Sequence, residues 1–186
     1  PGPKLTREHA LELVSGPVSR GDLALAFAES RASSVDVHVE GRNFYPPILE
    51  DIDGATSSVH INQFGFRPGV IGEAFADALV AKAATGVPVR LVVDRQGSDP
   101  ERSSRALYDR LTDAGIQVCV IRATKPRAPA GLLGGGSELR WNLSGLGHID
   151  HRKIVILDGR IGWIGGAGIE DHFEDGRFHD LFLRVT

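Results

Sequence analysis

Apolar residues follow two periods along this chain, and the two periods alternate. From residue 35 to 39 valine occupies every second position, which predicts a half-exposed strand with His38 facing solvent. A helical period comes next, after a turn at residues 41–43, and Pro46 or Pro47 is expected to open the helix. The predicted buried stripe of that helix is Ile48, Leu49, Ile52 and Ala55.

The alternation of strand and helix continues to residue 121. Strands are predicted over residues 58–66, 87–93 and 116–121, and helices over residues 73–85 and 103–114. Gly86 and Gly115 follow the two helices at the position where glycine commonly ends a helix. Because these strands are nearly all apolar, the pattern predicts an α/β fold in which a mostly parallel, mixed β-sheet has helices on both faces.

A long loop is predicted between residues 122 and 147, which contain two prolines and show no hydrophobic period. Two interpretations of its large basic and aromatic side chains stay open. They either face a phosphate or a lipid head group, or they form an ordinary charged surface, which is the commoner case. These side chains are Lys125, Arg127, Arg140 and Trp141.

Two short apolar runs after this loop predict a β-hairpin. Residues 154–157 are Ile-Val-Ile-Leu, Asp158-Gly159 is a strong hairpin-turn pair, and residues 161–164 alternate apolar residues with glycine. A final strand is predicted over residues 181–185.

Composition places the chain among ordinary globular proteins. Of its 186 residues, 41% are hydrophobic and 24% are charged, with a formal net charge of -3. This mild acidity disfavours broad electrostatic attachment to nucleic acid or to an anionic membrane. Cys119 lies within an apolar run and is predicted to be a small buried hydrophobe.

No window approaches 18 uninterrupted apolar residues, and no basic-then-apolar secretory segment opens the chain. We therefore expect a cytoplasmic or peripheral membrane location, with no transmembrane segment within these residues. The chain contains no methionine and begins at Pro1, so we expect both ends to be incomplete.

The candidate chemistry lies around the hairpin. His151 and Lys153 are two residues apart just before its first strand, so their side chains share a face and converge on one ligand. A neutral imidazole can attack phosphorus, while a lysine offsets the charge that develops on the non-bridging oxygens. Gly165 and Gly166, after the second strand, let the backbone approach a phosphate and donate amide hydrogens to it.

Each of these features has an ordinary interpretation when it is taken alone. A histidine beside a buried strand is more often a hydrogen-bonded structural residue, and Asp158-Gly159 needs no function beyond its turn. Together they form His-x-Lys, four residues, Asp158, six residues and Gly165-Gly166. This spacing resembles the HKD motif of the phospholipase D superfamily, and the surrounding residues are most similar to its cardiolipin synthase branch.

The resemblance extends from about residue 43 onward and implies one half of a phospholipase D-like three-layer sandwich. Residues 1–42 are then an N-terminal arm, and residues 43–186 a half-domain with one HKD motif, truncated at the C-terminus. In this family two halves pack about a pseudo-twofold axis, and each supplies one histidine and one lysine. The implied partners are a phospholipid substrate and a second HKD half, from the same longer chain or from a homodimer; nucleic acid is less favoured.

The resemblance also implies roles for His151, Lys153, Asp158 and Asp180 as the catalytic set. His151 is either the nucleophile or the proton donor in a reaction through a covalent phosphohistidine, and Lys153 binds the phosphoryl oxygens. Asp158 is largely a structural and electrostatic support, while Asp180 orients the imidazole. The family's reaction needs neither a metal nor another cofactor, so none is expected here.

One position departs from the family pattern: Gly168 stands where the motif usually has asparagine. The half is then slow, or compensated by Asn142 or another amide, or catalytically degenerate. The favoured function is metal-independent phosphodiester cleavage or phosphatidyl transfer on phospholipids.

Three alternatives to that function stay open. The first is an HKD-type nuclease acting as a homodimer. The second is a degenerate half that binds a phospholipid head group or a partner. The third, which is less favoured, is a metal site built from His148, Asp150 and His151 with Asp158 or His172.

Overall fold

The computed structural model describes residues 32–121 and 149–186, and from Ser34 onward these belong to one compact unit that ends at Thr186. The predictions made for the arm before residue 32 and for the loop over residues 122–147 lie outside the described residues. This applies to Lys125, Arg127, Arg140, Trp141 and Asn142, and to His148.

Seven strands and four helices form this part of the chain. The strands are β1 (Val35–Val39), β2 (Val59–Gln63), β3 (Val89–Asp94), β4 (Gln117–Ile121), β5 (Lys153–Leu157), β6 (Ile161–Gly165) and β7 (Leu181–Val185). The helices are α1 (Gly41–Gly54), α2 (Val70–Ala84), the single turn α3 (Arg95–Ser98) and α4 (Arg105–Asp113), and a 3-10 turn (Asp171–Phe173) precedes β7.

The strands form one mixed sheet in the order β1-β7-β6-β5-β2-β3-β4. The pairs β2–β3 and β3–β4 are parallel, and the other four neighbouring pairs are antiparallel. Following these pairings across the sheet, β1, β2, β3, β4 and β6 run in one direction, and β5 and β7 run in the other. The predicted α/β class is confirmed, but most neighbouring pairs are antiparallel because β5, β6 and β7 insert between β1 and β2.

The three longer helices cover one face of this sheet. α1 packs against α2, and α2 packs against α4. The strand residues under them alternate with exposed positions, as the period of two requires. These buried residues are Val59, Ile61, Leu91, Val93, Val155, Leu157, Trp163 and Phe182. The described residues place no second helical layer on the opposite face, where the sequence pattern predicts one.

The facing of side chains on β1 and β4 corrects two predictions. The three valines of β1 are 48–61% exposed on that opposite face, whereas His38 is half-buried on the helical face, with its ring centroid 4.9 Å from that of Trp163. The prediction that His38 faces solvent is therefore wrong. Cys119 is exposed, not buried, because it pairs with Val92 on the face that the three helices leave uncovered.

The first helix begins earlier than predicted, at Gly41, and Pro46 and Pro47 lie inside it. Glycine at this first position allows the helix to touch the backbone of Phe173, which a Cβ would overlap. Phe44 is fully buried and anchors the first turn. Of the predicted inward positions, Ile48, Ile52 and Ala55 are buried, and Leu49 is half-buried at the edge of the core.

The ends of α2 and α4 agree with the prediction. Gly86 and Gly115 have φ angles of 85° and 82°, a left-handed conformation that glycine adopts without a Cβ penalty. Leu107 and Leu111 of α4 are buried, as their spacing predicts.

Candidate functional site

The sheet brings the predicted site residues to one of its ends. β2 and β3 finish there, and Gln63, the last residue of β2, pairs with Lys153, the first residue of β5. β6 finishes at the same end and β7 begins there, since Gly165 pairs with Phe182. The hairpin is confirmed by its turn, in which Asp158 and Gly159 have φ angles of 55° and 64°. The carboxyl ends of parallel strands are the usual place for a ligand in an α/β sheet.

His151 and Lys153 converge as the period of two predicts. The Nζ atom of Lys153 lies 2.8 Å from Nδ1 and 3.1 Å from Nε2 of His151, and it donates to the His151 carbonyl oxygen at 2.8 Å. Phe64 supports both groups: its ring centroid is 4.5 Å from that of His151 and 5.0 Å from Lys153 Nζ. The cation and the imidazole are therefore held side by side on one aromatic ring.

The ammonium group of Lys153 is buried, with 4% of the residue exposed. This burial lowers the pKa of Lys153, whereas the carboxylates of Asp180, Glu170 and Asp150 act in the opposite direction. The lysine is thus a cation in a partly desolvated, acidic surrounding. A phosphate that enters would experience less solvent screening here than at an open surface.

A carboxylate network fixes the backbone on either side of His151. Asp150 donates its N–H to the buried carboxylate of Asp94 at 2.9 Å, and its own carboxylate accepts from Asn62 at 3.1 Å. Arg152 binds the Asp150 carboxylate through two nitrogens, at 2.7 and 2.6 Å. These bonds, above all those from Arg152, hold the pKa of Asp150 well below its usual range. The imidazole therefore projects from a braced segment.

Asp158 lies at the other end of β5, on the order of 20 Å from His151 at the usual rise per strand residue. Its carboxylate accepts from the N–H groups of Thr56, Ser57 and Ser58 and from two hydroxyls, at 2.7–3.1 Å. These backbone hydrogen bonds hold the pKa of Asp158 well below its usual range. The structure therefore does not bring Asp158 to the reacting groups. Asp158 instead joins the hairpin turn to the loop before β2.

Asp180 and the two glycines meet where β6 ends and β7 begins. A Cβ at Gly166 would lie 2.6 Å from Oδ2 of Asp180, so the missing side chain lets this carboxylate approach the backbone. A Cβ at Gly165 would likewise overlap the carbonyl oxygen of Leu181, so the missing side chain lets these two backbone segments approach. Among the described residues, the Asp180 carboxylate hydrogen-bonds with the Leu181 N–H at 2.7 Å and not with the His151 ring. Its influence reaches the site through its charge near Lys153.

A cavity of about 480 Å³, within the usual size range of small-molecule sites, lies at this end of the sheet. Its lining includes His151, Lys153 and Gly166 together with Arg67, Glu170 and His172. Positive and negative groups are therefore both within reach of a bound molecule. Such a lining suits a ligand that carries a phosphate and hydroxyl groups.

Glu170 and His172 are cavity residues to which the sequence prediction gave no catalytic place. Oε1 of Glu170 fits against Gly65, which has no side chain to obstruct it, and it would lie 2.8 Å from a Cβ at Gly168. Oε2 is 3.6 Å from Nδ1 of His172. The Glu170 carboxylate thus lies beside Gly168, and in this position it would contact any side chain placed there.

The metal alternative gains no support from the described ranges. Within residues 32–121 and 149–186 there is no group of three or more His, Cys, Asp or Glu side chains arranged to hold a metal ion. Asp150 is bound by Arg152 and Asn62, and Asp158 is remote. The remaining candidate, His148, lies outside the described residues.

Solved structures share this fold. Nuc from Salmonella typhimurium, a phospholipase D family member, has a TM-score of 0.58 at 22% identity, with 82% of each chain covered. NucT from Helicobacter pylori has a TM-score of 0.59 at 21% identity, covering 82% of this chain and 84% of its own.

In the part of this chain that the structure describes, no helix is both long and apolar enough to cross a bilayer.

Sequence comparison identifies the family. The major cardiolipin synthase ClsA of Bacillus subtilis (strain 168) is 33% identical over 158 residues, which cover 82% of this chain and 30% of that protein. The chain therefore spans about a third of the length of this relative. Residues 48–173, more than half of the chain, match the family described as cardiolipin synthase, PLD-like domain. The resemblance found in the HKD motif is thereby confirmed, and the chain belongs to this phospholipase D-like family of cardiolipin synthase domains.

Proposed function

We propose that this chain is one half of an enzyme that cleaves phospholipid phosphodiesters or transfers their phosphatidyl group, through a covalent phosphohistidine and without a metal. The observation that carries the proposal is the buried Lys153 ammonium, 2.8 and 3.1 Å from the two ring nitrogens of His151 in a cavity at the carboxyl ends of β2 and β3. The family match and the relationship to a cardiolipin synthase support a phospholipid as the substrate.

In the first step a neutral His151 nitrogen attacks the phosphorus of the donor lipid. A P–N bond forms, the P–O bond to the leaving alcohol breaks, and the alcohol oxygen takes a proton from a general acid. Lys153 donates hydrogen bonds to the non-bridging oxygens, where negative charge increases in the transition state. In the second step an acceptor hydroxyl gives its proton to a general base and attacks the same phosphorus, so that a new P–O bond forms and the P–N bond breaks, returning its electron pair to His151. A lipid alcohol as acceptor gives transfer, and water gives hydrolysis.

A second half is part of the proposal because one imidazole cannot attack phosphorus and protonate the leaving alcohol in the same step. The family resemblance assigns the second role to a histidine of another HKD half. This chain covers 30% of the cardiolipin synthase but 82% of Nuc. The partner half is accordingly either in the same longer polypeptide or in a second copy. Residues 43–186 are the proposed half-domain.

Two other functions are each favoured by one observation. The coverage of Nuc and NucT by a single half favours a homodimeric phosphodiesterase with DNA as the alternative substrate, although the net charge of -3 disfavours DNA binding. The glycine at position 168 favours a half that binds a phospholipid head group without turnover.

Turnover measured with the full chain in its native assembly tests these functions together. Phosphatidylglycerol vesicles and single-stranded DNA serve as substrates in excess chelator, with His151→Ala and Lys153→Ala as the variants. His60→Ala is the matched control, because His60 lies on the uncovered face of β2. We expect chelator-resistant lipid turnover that both site variants lose and the control keeps.

The other outcomes each contradict the proposed function. Cleavage of DNA alone would replace it with the nuclease. Lipid binding without turnover would replace it with the degenerate half. Turnover that survives His151→Ala would rule out a covalent phosphohistidine at this residue.

A further inference from the structure

A second cavity, of about 400 Å³, adjoins the one that holds His151 and Lys153. Its lining residues are Arg67, Arg95, Gln96, Asp99 and Arg102, and we call it the arginine cavity. Arg67 and Gln96 line both cavities and so form their common wall. Three arginines and one aspartate among its lining residues give the arginine cavity a net positive charge, whereas the neighbouring cavity is lined by groups of both signs.

The hydrogen-bond partners of Arg67 and Asp99 leave the positive charge of this lining available to an anion. Arg67 donates from Nε to the Gly97 carbonyl and from Nη2 to the Gln96 carbonyl, so neutral oxygens fix its position without cancelling its charge. The carboxylate of Asp99 is turned toward Ser103, whose N–H and hydroxyl donate to it at 3.2 and 2.7 Å. The Gln96 and Gly97 carbonyls belong to the single turn α3, and Ser103 lies in the connection between α3 and α4.

Arg95 has an acidic neighbour, but the pair is open to solvent. Its Nε lies 3.2 Å from Oε2 of Glu101, and the two side chains are 51% and 42% exposed. An ion pair at such exposure contributes little to stability, because water screens both charges. A dianionic or diester phosphate, which accepts two parallel hydrogen bonds from a guanidinium, competes effectively with it.

We propose that the arginine cavity binds the phosphate of the acceptor lipid, so that this lipid's terminal hydroxyl reaches the phosphorus held at His151. This rests on the proposed function. In a glycerophosphate head group the terminal hydroxyl oxygen and the phosphorus are five bonds apart, about 6 Å in a straight line when the zigzag chain is extended. Two adjacent cavities with one wall in common suit two phosphates joined by such a bridge.

The second step then has a defined geometry. The acceptor oxygen forms the new P–O bond, the P–N bond breaks with its electron pair returning to His151, and the hydroxyl proton leaves to a general base of the assembled site. Arg95 and Arg102 touch neither reacting atom. They raise the local concentration of an acceptor that carries a phosphate, and they give no advantage to water or to an uncharged alcohol.

A competition between acceptors tests this with the full chain in its native assembly. The double variant Arg95→Gln/Arg102→Gln is compared with wild type, using phosphatidylglycerol, glycerol and water as acceptors for one labelled donor. We expect the KM for the phosphatidylglycerol acceptor to rise roughly tenfold, as loss of charged hydrogen bonds predicts, with transfer to glycerol unchanged. Arg105→Gln is the control for the loss of a surface arginine, because Arg105 is an exposed residue of α4 that pairs with Asp109.

Two results in this assay would overturn the inference. One is an unchanged KM for phosphatidylglycerol. The other is an equal loss of transfer to glycerol, which would mean that the arginines act on the reacting groups.

Direct binding separates this inference from the proposed function. Glycerol 1-phosphate and inorganic phosphate are titrated by calorimetry into His151→Ala protein, with and without the two arginine substitutions. Binding of glycerol 1-phosphate that the double substitution weakens roughly tenfold supports the arginine cavity even where no turnover occurs. Equal affinity for inorganic phosphate would assign the cavity to the free ion and overturn its role for a lipid acceptor, as would binding that ignores the substitutions.

Discussion

The two ends of β5 belong to one sequence motif, yet their polar atoms are used in opposite ways. At one end the Asp158 carboxylate accepts from three backbone N–H groups and two hydroxyls. At the other end Lys153 contacts His151, and both face a cavity. A fully satisfied carboxylate holds two chain segments together, whereas polar atoms that face a cavity can exchange their partners for a ligand. The motif therefore combines a structural clamp with a reactive pair.

Removing the imidazole gives the largest expected loss of activity. In His151→Ala we expect kcat/KM on phosphatidylglycerol to fall by about 10³-fold or more, since the nucleophile or its proton is gone. The melting temperature should stay near the wild-type value, because His151 is exposed and its neighbours are braced by Asp150. Steady-state kinetics and thermal unfolding of the same preparation check both statements; a parallel loss of activity and stability would contradict the comparison.

Removing the buried cation comes next. Lys153→Met keeps a long side chain at a position with 4% exposure, so the packing on Phe64 is retained while the charge is lost. We expect kcat to fall by about 10²- to 10³-fold, the effect of losing one donor to a transition-state oxyanion. Single-turnover rates measure it, and a change confined to KM would show that Lys153 binds the substrate and the transition state equally.

A small side chain at Gly166 tests the placement of Asp180. The new Cβ of Gly166→Ala would lie 2.6 Å from Oδ2 of Asp180, so this carboxylate has to move. We expect kcat/KM to fall roughly 10-fold to 10²-fold, as for other small displacements in a site. Gly162→Ala, in the strand β6 that precedes Gly166, is the matched control, because a Cβ there meets nothing within 4 Å. Equal activity of the two variants would show that the position of the Asp180 carboxylate does not matter for activity.

The clamp end should show the smallest effect on activity. In Asp158→Asn we expect a lower melting temperature at neutral pH with kcat of the folded protein unchanged. The folded-state pKa of Asp158 is lowered, so its stabilisation is complete above the ordinary value of about 3.9 and is lost as the pH falls further. Unfolding curves from pH 7 to acid should therefore converge for wild type and variant; curves that stay parallel would contradict the clamp.

Periodicity was sufficient to predict most of the strands and helices but not their arrangement. Each strand and helix is a local pattern, and the Asp158-Gly159 turn is a local signal, so the hairpin was predictable. The insertion of β5, β6 and β7 between β1 and β2 depends on pairing between distant segments. The same distant pairing decides which face of β1 and β4 is covered, and so the errors at His38 and Cys119 have one cause.

The site residues also fall into a group that local sequence predicts and a group that only the fold brings together. His151 and Lys153 were found because their spacing and the motif lie in one short stretch. Phe64, Arg67 and Glu170 come from other loops and enter the cavity only through the fold. The one local signal for Glu170 is the glycine at position 168, which leaves space for its carboxylate.

Trapping the covalent intermediate is the measurement that bears most directly on the reactive pair. Wild type, His151→Ala and Asp158→Asn are quenched during turnover of a short-chain phosphatidylglycerol, and the modified peptide is located by mass spectrometry. We predict a phosphatidyl group on the peptide that contains His151 in wild type and in Asp158→Asn, and none in His151→Ala. Turnover with the group on another residue, or its loss in Asp158→Asn protein that is still folded, would contradict the division of the motif into a reactive pair and a clamp.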